Sequence, residues 1–161
     1  MITRRCIGLA LVATLATTYA TAESATTVPF HASIQTQPTV TGECGPGCLA
    51  LDIPGSGTAS QMGAISVAGP SQLNLFAGTQ TATSTMTAAN GDTLIIEVSG
   101  TFQQSGPEVT DPVTFSGTWT VIGGTGRFEA TSGMGSYSGS AGMGAGTFEL
   151  TGSISPPGRH R

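Results

Sequence analysis

The stretch DTLIIEVSGTFQ, residues 92–103, alternates with a period of two. Leu94, Ile96, Val98 and Phe102 fall on one face, and Thr93, Glu97, Ser99, Thr101 and Gln103 on the other. Successive strand side chains point to opposite sides of a sheet, so this is the pattern of a strand with one buried face and one wet face. Two further stretches repeat it. In PVTFSGTWTVI, 112–122, Val113, Phe115, Trp119 and Val121 oppose Thr114, Ser116, Thr118 and Thr120. In GTFELTGSIS, 146–155, Phe148, Leu150 and Ile154 oppose Glu149, Thr151 and Ser153. Half-buried strands of this kind belong to antiparallel sheets, with Thr as the β-branched residue of the wet side.

Weaker runs at 28–36, 61–68, 71–77, 79–87 and 134–140 bring the set to about eight strands, and no stretch is amphipathic at helical spacing. Asn90-Gly91, between Met86 and Leu94, is a strong hairpin signal. Gly100, Gly117 and Gly152 sit inside strands on their apolar faces, where a glycine marks a bend, a bulge or a close approach of backbones. A small sheet curved that strongly closes on itself. The expected fold is all-β, an antiparallel closed barrel of about eight strands. With six Phe, two Tyr and one Trp in the whole chain, aromatic girdles are missing and an outer-membrane barrel is excluded.

The N-terminus, MITRRCIGLALVATLATTYATAES, has Arg4 and Arg5 before an apolar run and small residues at Ala20 and Ala22. These are the marks of a secretory signal peptide over 1–22, cleaved after Ala22. The run is too short to span a bilayer. CIGLAL fits a twin-arginine motif poorly, which favours Sec export, and Cys6 lies within the apolar run and away from the cleavage site, which argues against a lipid anchor. The expected product is secreted or periplasmic, with no membrane insertion, a single domain over 23–155 and a disordered tail over 156–161. It keeps three arginines and no lysine against nine acids. Phosphate backbones need clustered Lys and Arg, so no nucleic-acid partner is expected.

Two cysteines remain, Cys44 and Cys48. In an exported chain the simple reading is one short-range disulfide shaping a loop over 41–50. CGPGC is one residue longer than a thioredoxin-type CGPC and no helix pattern follows to activate a thiol.

The segment VIGGTGRFEATSG, 121–133, invites a phosphate-binding reading. A dinucleotide fingerprint needs a third glycine where Glu129 stands, and a P-loop needs a lysine. The glycines at 123–126 therefore read as a tight turn after the Trp119 strand.

ANGDTL (Ala89–Leu94), a Gly-bearing strand, the W-x-V-x-GGTGRFEAT-x-G block (Trp119–Gly133) and a closing G-x-F-x-L-x-G strand (Gly146–Gly152) resemble the exported bacterial proteins of the allene oxide cyclase barrel-like superfamily. Plant dirigent proteins carry a similar GGTG-x-F segment. The resemblance covers 57–154 and implies an eight-stranded antiparallel barrel with an internal apolar cavity. Plant members steer or catalyse closure of reactive lipid or phenoxy intermediates, and many bacterial members have no known activity. Polar catalytic groups of such cyclases find no residue-by-residue match here, and a shared turn is evidence of fold alone.

Arg127 and Glu129, opposite charges two residues apart, are a candidate substrate clamp or an ion pair locking the turn. Trp119, Phe115, Phe102 and Phe148 are candidates to line a ligand cavity or to fill the core, since eight strands leave room for only one of these. Met134 and Met143 add soft surface near the C-terminal hairpin. His31 reads as a surface residue, and Glu97 and Glu149 as exterior charges. No His, Cys, Asp or Glu set has metal-ligand spacing and no cofactor is expected. The expected function is binding of a small apolar ligand in the barrel. The alternatives are a cofactor-independent cyclase or isomerase acting by position, and a structural or surface-interaction protein. A buried polar group among the apolar positions would favour the enzyme, and a completely packed interior the structural role.

Overall fold

The computed structural model describes residues 26–106, 111–142 and 144–158. The expected signal peptide, Met143 and the last three residues of the expected tail lie outside the described residues. Eleven strands occur in the order β1 Val28–Thr36, β2 Thr39–Gly45, β3 Cys48–Asp52, β4 Gly55–Ala59, β5 Gly63–Ala68, β6 Pro70–Asn74, β7 Thr79–Ala88, β8 Thr93–Gln104, β9 Val113–Gly124, β10 Gly133–Gly142 and β11 Ala145–Ile154. All pairings are antiparallel. The ring β7-β8-β9-β10-β11-β1-β4-β5 returns to β7, giving a closed eight-stranded antiparallel barrel.

The remaining strands β2, β3 and β6 prolong three barrel strands. The register of β1 with β4 continues as Thr39↔Asp52 and Val40↔Leu51 in β2 and β3, and the registers of β4 with β5 and β5 with β7 likewise run on into β3, β6 and β7. The breaks fall at Pro38, Pro54 and Gly69-Pro70, on neighbouring strands: Gln37 N–H donates to Pro54 O (2.9 Å) and Ile53 N–H to Gly69 O (3.1 Å). Proline has no N–H to give to a ladder, so a row of prolines is a crease. Beyond it β2 leaves β11, and the three prolonged strands form a flap at one end of the barrel. The loop expected over 41–50 is the tip of this flap, a hairpin turning at Pro46-Gly47 and closed by the Cys44–Cys48 disulfide, Cα atoms 5.1 Å apart.

Inside the barrel, large residues face glycines across the strands. Trp119 lies beside Gly135, which lies beside Gly152, and the indole reaches Phe30 edge-on with centroids 5.3 Å apart. Tyr137 lies beside Gly117, which lies beside Gly100. Gly139 stands between Phe115 and Phe148. A Cβ on Gly152 would come within 2.7 Å of Trp119 Cζ2, and one on Gly117 within 2.8 Å of Tyr137 Cε1. The apolar-face glycines are thus the space into which the rings fold. The alternation read in β8, β9 and β11 holds: Leu94, Ile96, Val98, Phe115, Trp119, Leu150 and Ile154 are buried.

The barrel end opposite the flap is plugged. After a bulge at Ile122, the GGTGRF segment makes a 3-10 turn, Gly126–Phe128, whose Phe128 is fully buried in the core that also holds Met62, Leu94 and Ile154. Gly126 has φ +59°, and a Cβ there would drive into the Asp92 carboxylate. At this plug Ser155 N–H donates to Ser132 O (2.7 Å), and within the described part of the tail Gly158 N–H donates to Arg127 O (2.8 Å).

Gly152→Ala is predicted to destabilise the barrel by roughly 1–3 kcal/mol through overpacking against Trp119, read as a lower urea midpoint by Trp119 fluorescence. Gly42, with nothing within 4 Å of a built Cβ, should accept Ala within about 0.5 kcal/mol.

Candidate functional site

The two ends of the barrel divide the candidate residues. At the plugged end, Asp92 receives Arg127 Nε at 3.2 Å, and Arg127 Nη2 donates to Gln61 O at 2.6 Å. Thr93 N–H donates to Thr125 Oγ1 (3.1 Å), and Thr125 N–H to Thr93 O (2.9 Å). The hairpin turn NGD and the GGTGRF turn are two halves of one latch. Arg127, read with Glu129 as a clamp or an ion pair, lies in the 3-10 turn. Arg127 pairs with Asp92, and Glu129 follows the turn, its N–H bonded to Gly126 O. Neither lines the open end. His31 and Glu149 meet at 3.2 Å on the outer surface, both exposed.

Trp119 is core. It is 1% exposed, and its Nε1–H points at Ser136 O (3.0 Å) and Thr151 O (3.3 Å). The three phenylalanines lie near the flap. Phe102 and Phe115 have centroids 5.9 Å apart and Phe115 and Phe148 5.6 Å. Between the flap and the barrel rim is a groove of about 330 Å³, with Pro38, Leu51, Leu73 and Leu75 on the flap side and Phe102, Val113, Phe115 and Ala141 on the rim. Just inside, a cavity of about 50 Å³ is lined by Ile34, Ile53, Val67, Ala82, Val98, Phe148 and Leu150, with Thr36, Gln80, Ser84 and Tyr137 as its polar members.

These polar members were missed in the sequence. Tyr137 Oη donates to Gln80 Oε1 (3.0 Å), Gln80 Nε2 to Ser71 Oγ (3.3 Å) and Ser71 Oγ to Thr81 O (3.3 Å). Thr36 is 4% exposed and its Oγ1 has no partner. Burial pushes the Tyr137 phenol up to about 12, so the hydroxyl stays a neutral donor. Among the described residues no charged side chain lines the cavity or the groove. Among the described residues no group of three His, Cys, Asp or Glu is placed to hold a metal. The chemistry on offer is shape, apolar surface and neutral hydrogen bonds.

Comparison with protein-family models, with curated protein sequences and with solved structures finds no match to this chain.

Two outcomes are predicted. Thr36→Val removes a buried hydroxyl without a partner and should stabilise the ligand-free protein by about 1 kcal/mol in urea unfolding. For Tyr137 the folded pKa lies above the unfolded value near 10, so the native state holds a proton that the unfolded chain has released. Stability should fall as pH rises from about 10 to about 12, by roughly 1–3 kcal/mol, and Tyr137→Phe should flatten that slope.

Proposed function

We propose that this barrel binds a small apolar ligand at its open end, beneath the creased flap. The observation that carries the reading is the groove of about 330 Å³ with Leu side chains on the flap wall and Phe side chains on the rim wall, at the lower end of the size range of small-molecule sites. Its walls come from opposite sides of the barrel mouth, so they face each other and a ligand between them is covered twice. Phe102 and Phe115 in the groove and Phe148 in the cavity inside it act as ligand contacts. Trp119, Arg127 and Glu129 serve the fold.

The buried Tyr137-Gln80-Ser71 chain favours a second reading, a cofactor-independent cyclase or isomerase. The cavity offers such an enzyme donors and a shaped wall but, among the described residues, no acid or base that titrates near neutral pH, so it would work by holding its substrate in a productive conformation. Binding asks less of these residues and is the reading we adopt.

Export is part of the proposal. The Cys44–Cys48 disulfide suits an oxidising compartment, in keeping with the signal-like N-terminus. Membership of the allene oxide cyclase barrel-like superfamily is likewise proposed, supported by the barrel class and by the latch that joins NGD to GGTGRF.

Native mass spectrometry of the exported protein is expected to show a reproducible apolar adduct that leaves on unfolding. Leu73→Glu, which puts a charge in the groove, should abolish it, whereas Arg127→Ala should cost stability, about 1 kcal/mol, and leave the adduct in place. Bare protein in every preparation would overturn the proposal.

A further inference from the structure

The inner cavity has one feature that packing does not explain. Thr36 continues the inward face of β1 after Phe30, Ala32 and Ile34, all buried, and lines the cavity with an unpartnered hydroxyl. A buried hydroxyl without a hydrogen bond costs stability, and Val would fill the same space without that cost. Across the cavity, Gln80 has two amide N–H groups and uses one on Ser71, while its oxygen is taken by Tyr137. Ser84 adds a third neutral polar group. One unsatisfied hydroxyl and one free amide hydrogen therefore border a space otherwise walled by Ile, Val, Ala, Leu and Phe.

We propose that the ligand is a neutral molecule with a slender apolar body and one terminal hydroxyl or carbonyl, and that this polar end enters the inner cavity to bond Thr36 and Gln80. The inference rests on the reading of the open end as a ligand site and adds the chemistry of what binds there. Its three parts have separate grounds. Neutrality follows from the lining: among the described residues a carboxylate would be buried with no Arg, Lys or His beside it, and an amine with no Asp or Glu, so either would lose its hydration with only neutral hydrogen bonds to offset the loss. Slenderness follows from volume, since about 50 Å³ is room for roughly three or four water-sized groups, enough for the end of a chain and too little for a ring system. The terminal polar group follows from Thr36. A hydroxyl can accept from Gln80 and either donate to or accept from Thr36, and a carbonyl can accept from both. The apolar body then lies along the groove, over Phe115 and under Leu73.

The test is calorimetric titration of the full exported protein with 1-octanol, octanoate and octane as probes, repeated on Thr36→Val and Thr36→Ser. Octanol should bind at least about tenfold more tightly than octanoate. Thr36→Val should weaken octanol by about 3–10-fold, the range of one neutral hydrogen bond, while leaving octane unchanged and raising the unfolding temperature. Thr36→Ser should restore octanol binding. Equal affinity for octanol and octanoate would overturn the proposal, as would octanol binding that ignores Thr36→Val, which would mean that water serves the hydroxyl. In both cases octane binding would leave the apolar site standing. Failure of all three probes would remove the site and this inference together.

Discussion

The interior of an eight-stranded barrel is barely wider than two side chains, and this structure depends on how that width is shared. Each large ring is admitted because the strands beside it give up their side chains: Gly135 and Gly152 for Trp119, Gly117 and Gly100 for Tyr137, Gly139 for Phe115 and Phe148. The exchange fixes register, because a strand that slipped by one residue would bring a Cβ where a ring must go. It also fixes curvature, since paired glycines let backbones approach and the sheet bend. Closure, register and core packing are one constraint seen from three sides.

That constraint was legible where it left a period-two trace. β8, β9 and β11 could be read directly because one face meets the core and the other meets water, and the glycines on their apolar faces gave the curvature. The flap could not be read this way. Every residue of β2 is exposed and β3 is half-buried, so neither has an inside and an outside to alternate between, and Gly42, Gly45, Pro46 and Gly47 read as loop. The crease depends on prolines in three separate strands falling side by side, which only register reveals.

The site was less legible than the fold. Thr36, Gln80, Ser71 and Ser84 are residue types that mark wet faces elsewhere in this chain. In TQTATSTMTA the outer face is all Thr, and the inward one mixes Gln80 and Ser84 with Ala82, Met86 and Ala88. The signal that was available lay in Tyr137, an aromatic phenol set two residues from glycine on either side. Conversely, Arg127 drew attention as half of a charged pair with Glu129, yet it is spent on holding a turn. Asp92 explains why NGD and GGTGRF occur together: Gly126 must lack a side chain to sit against that carboxylate.

Among the described residues the sheet has a single terminal strand, β2, because all others are paired on both sides. An open edge is a template on which a neighbouring chain can add itself. Here the register of β2 slips twice, at Val40/Gly42 and at Glu43/Gly45, its middle carries a carboxylate, and its end is drawn back by the disulfide. An incoming strand would find no regular run of donors and acceptors to copy. The irregularity of the flap thus guards the molecule against polymerising through the one border that barrel closure leaves exposed.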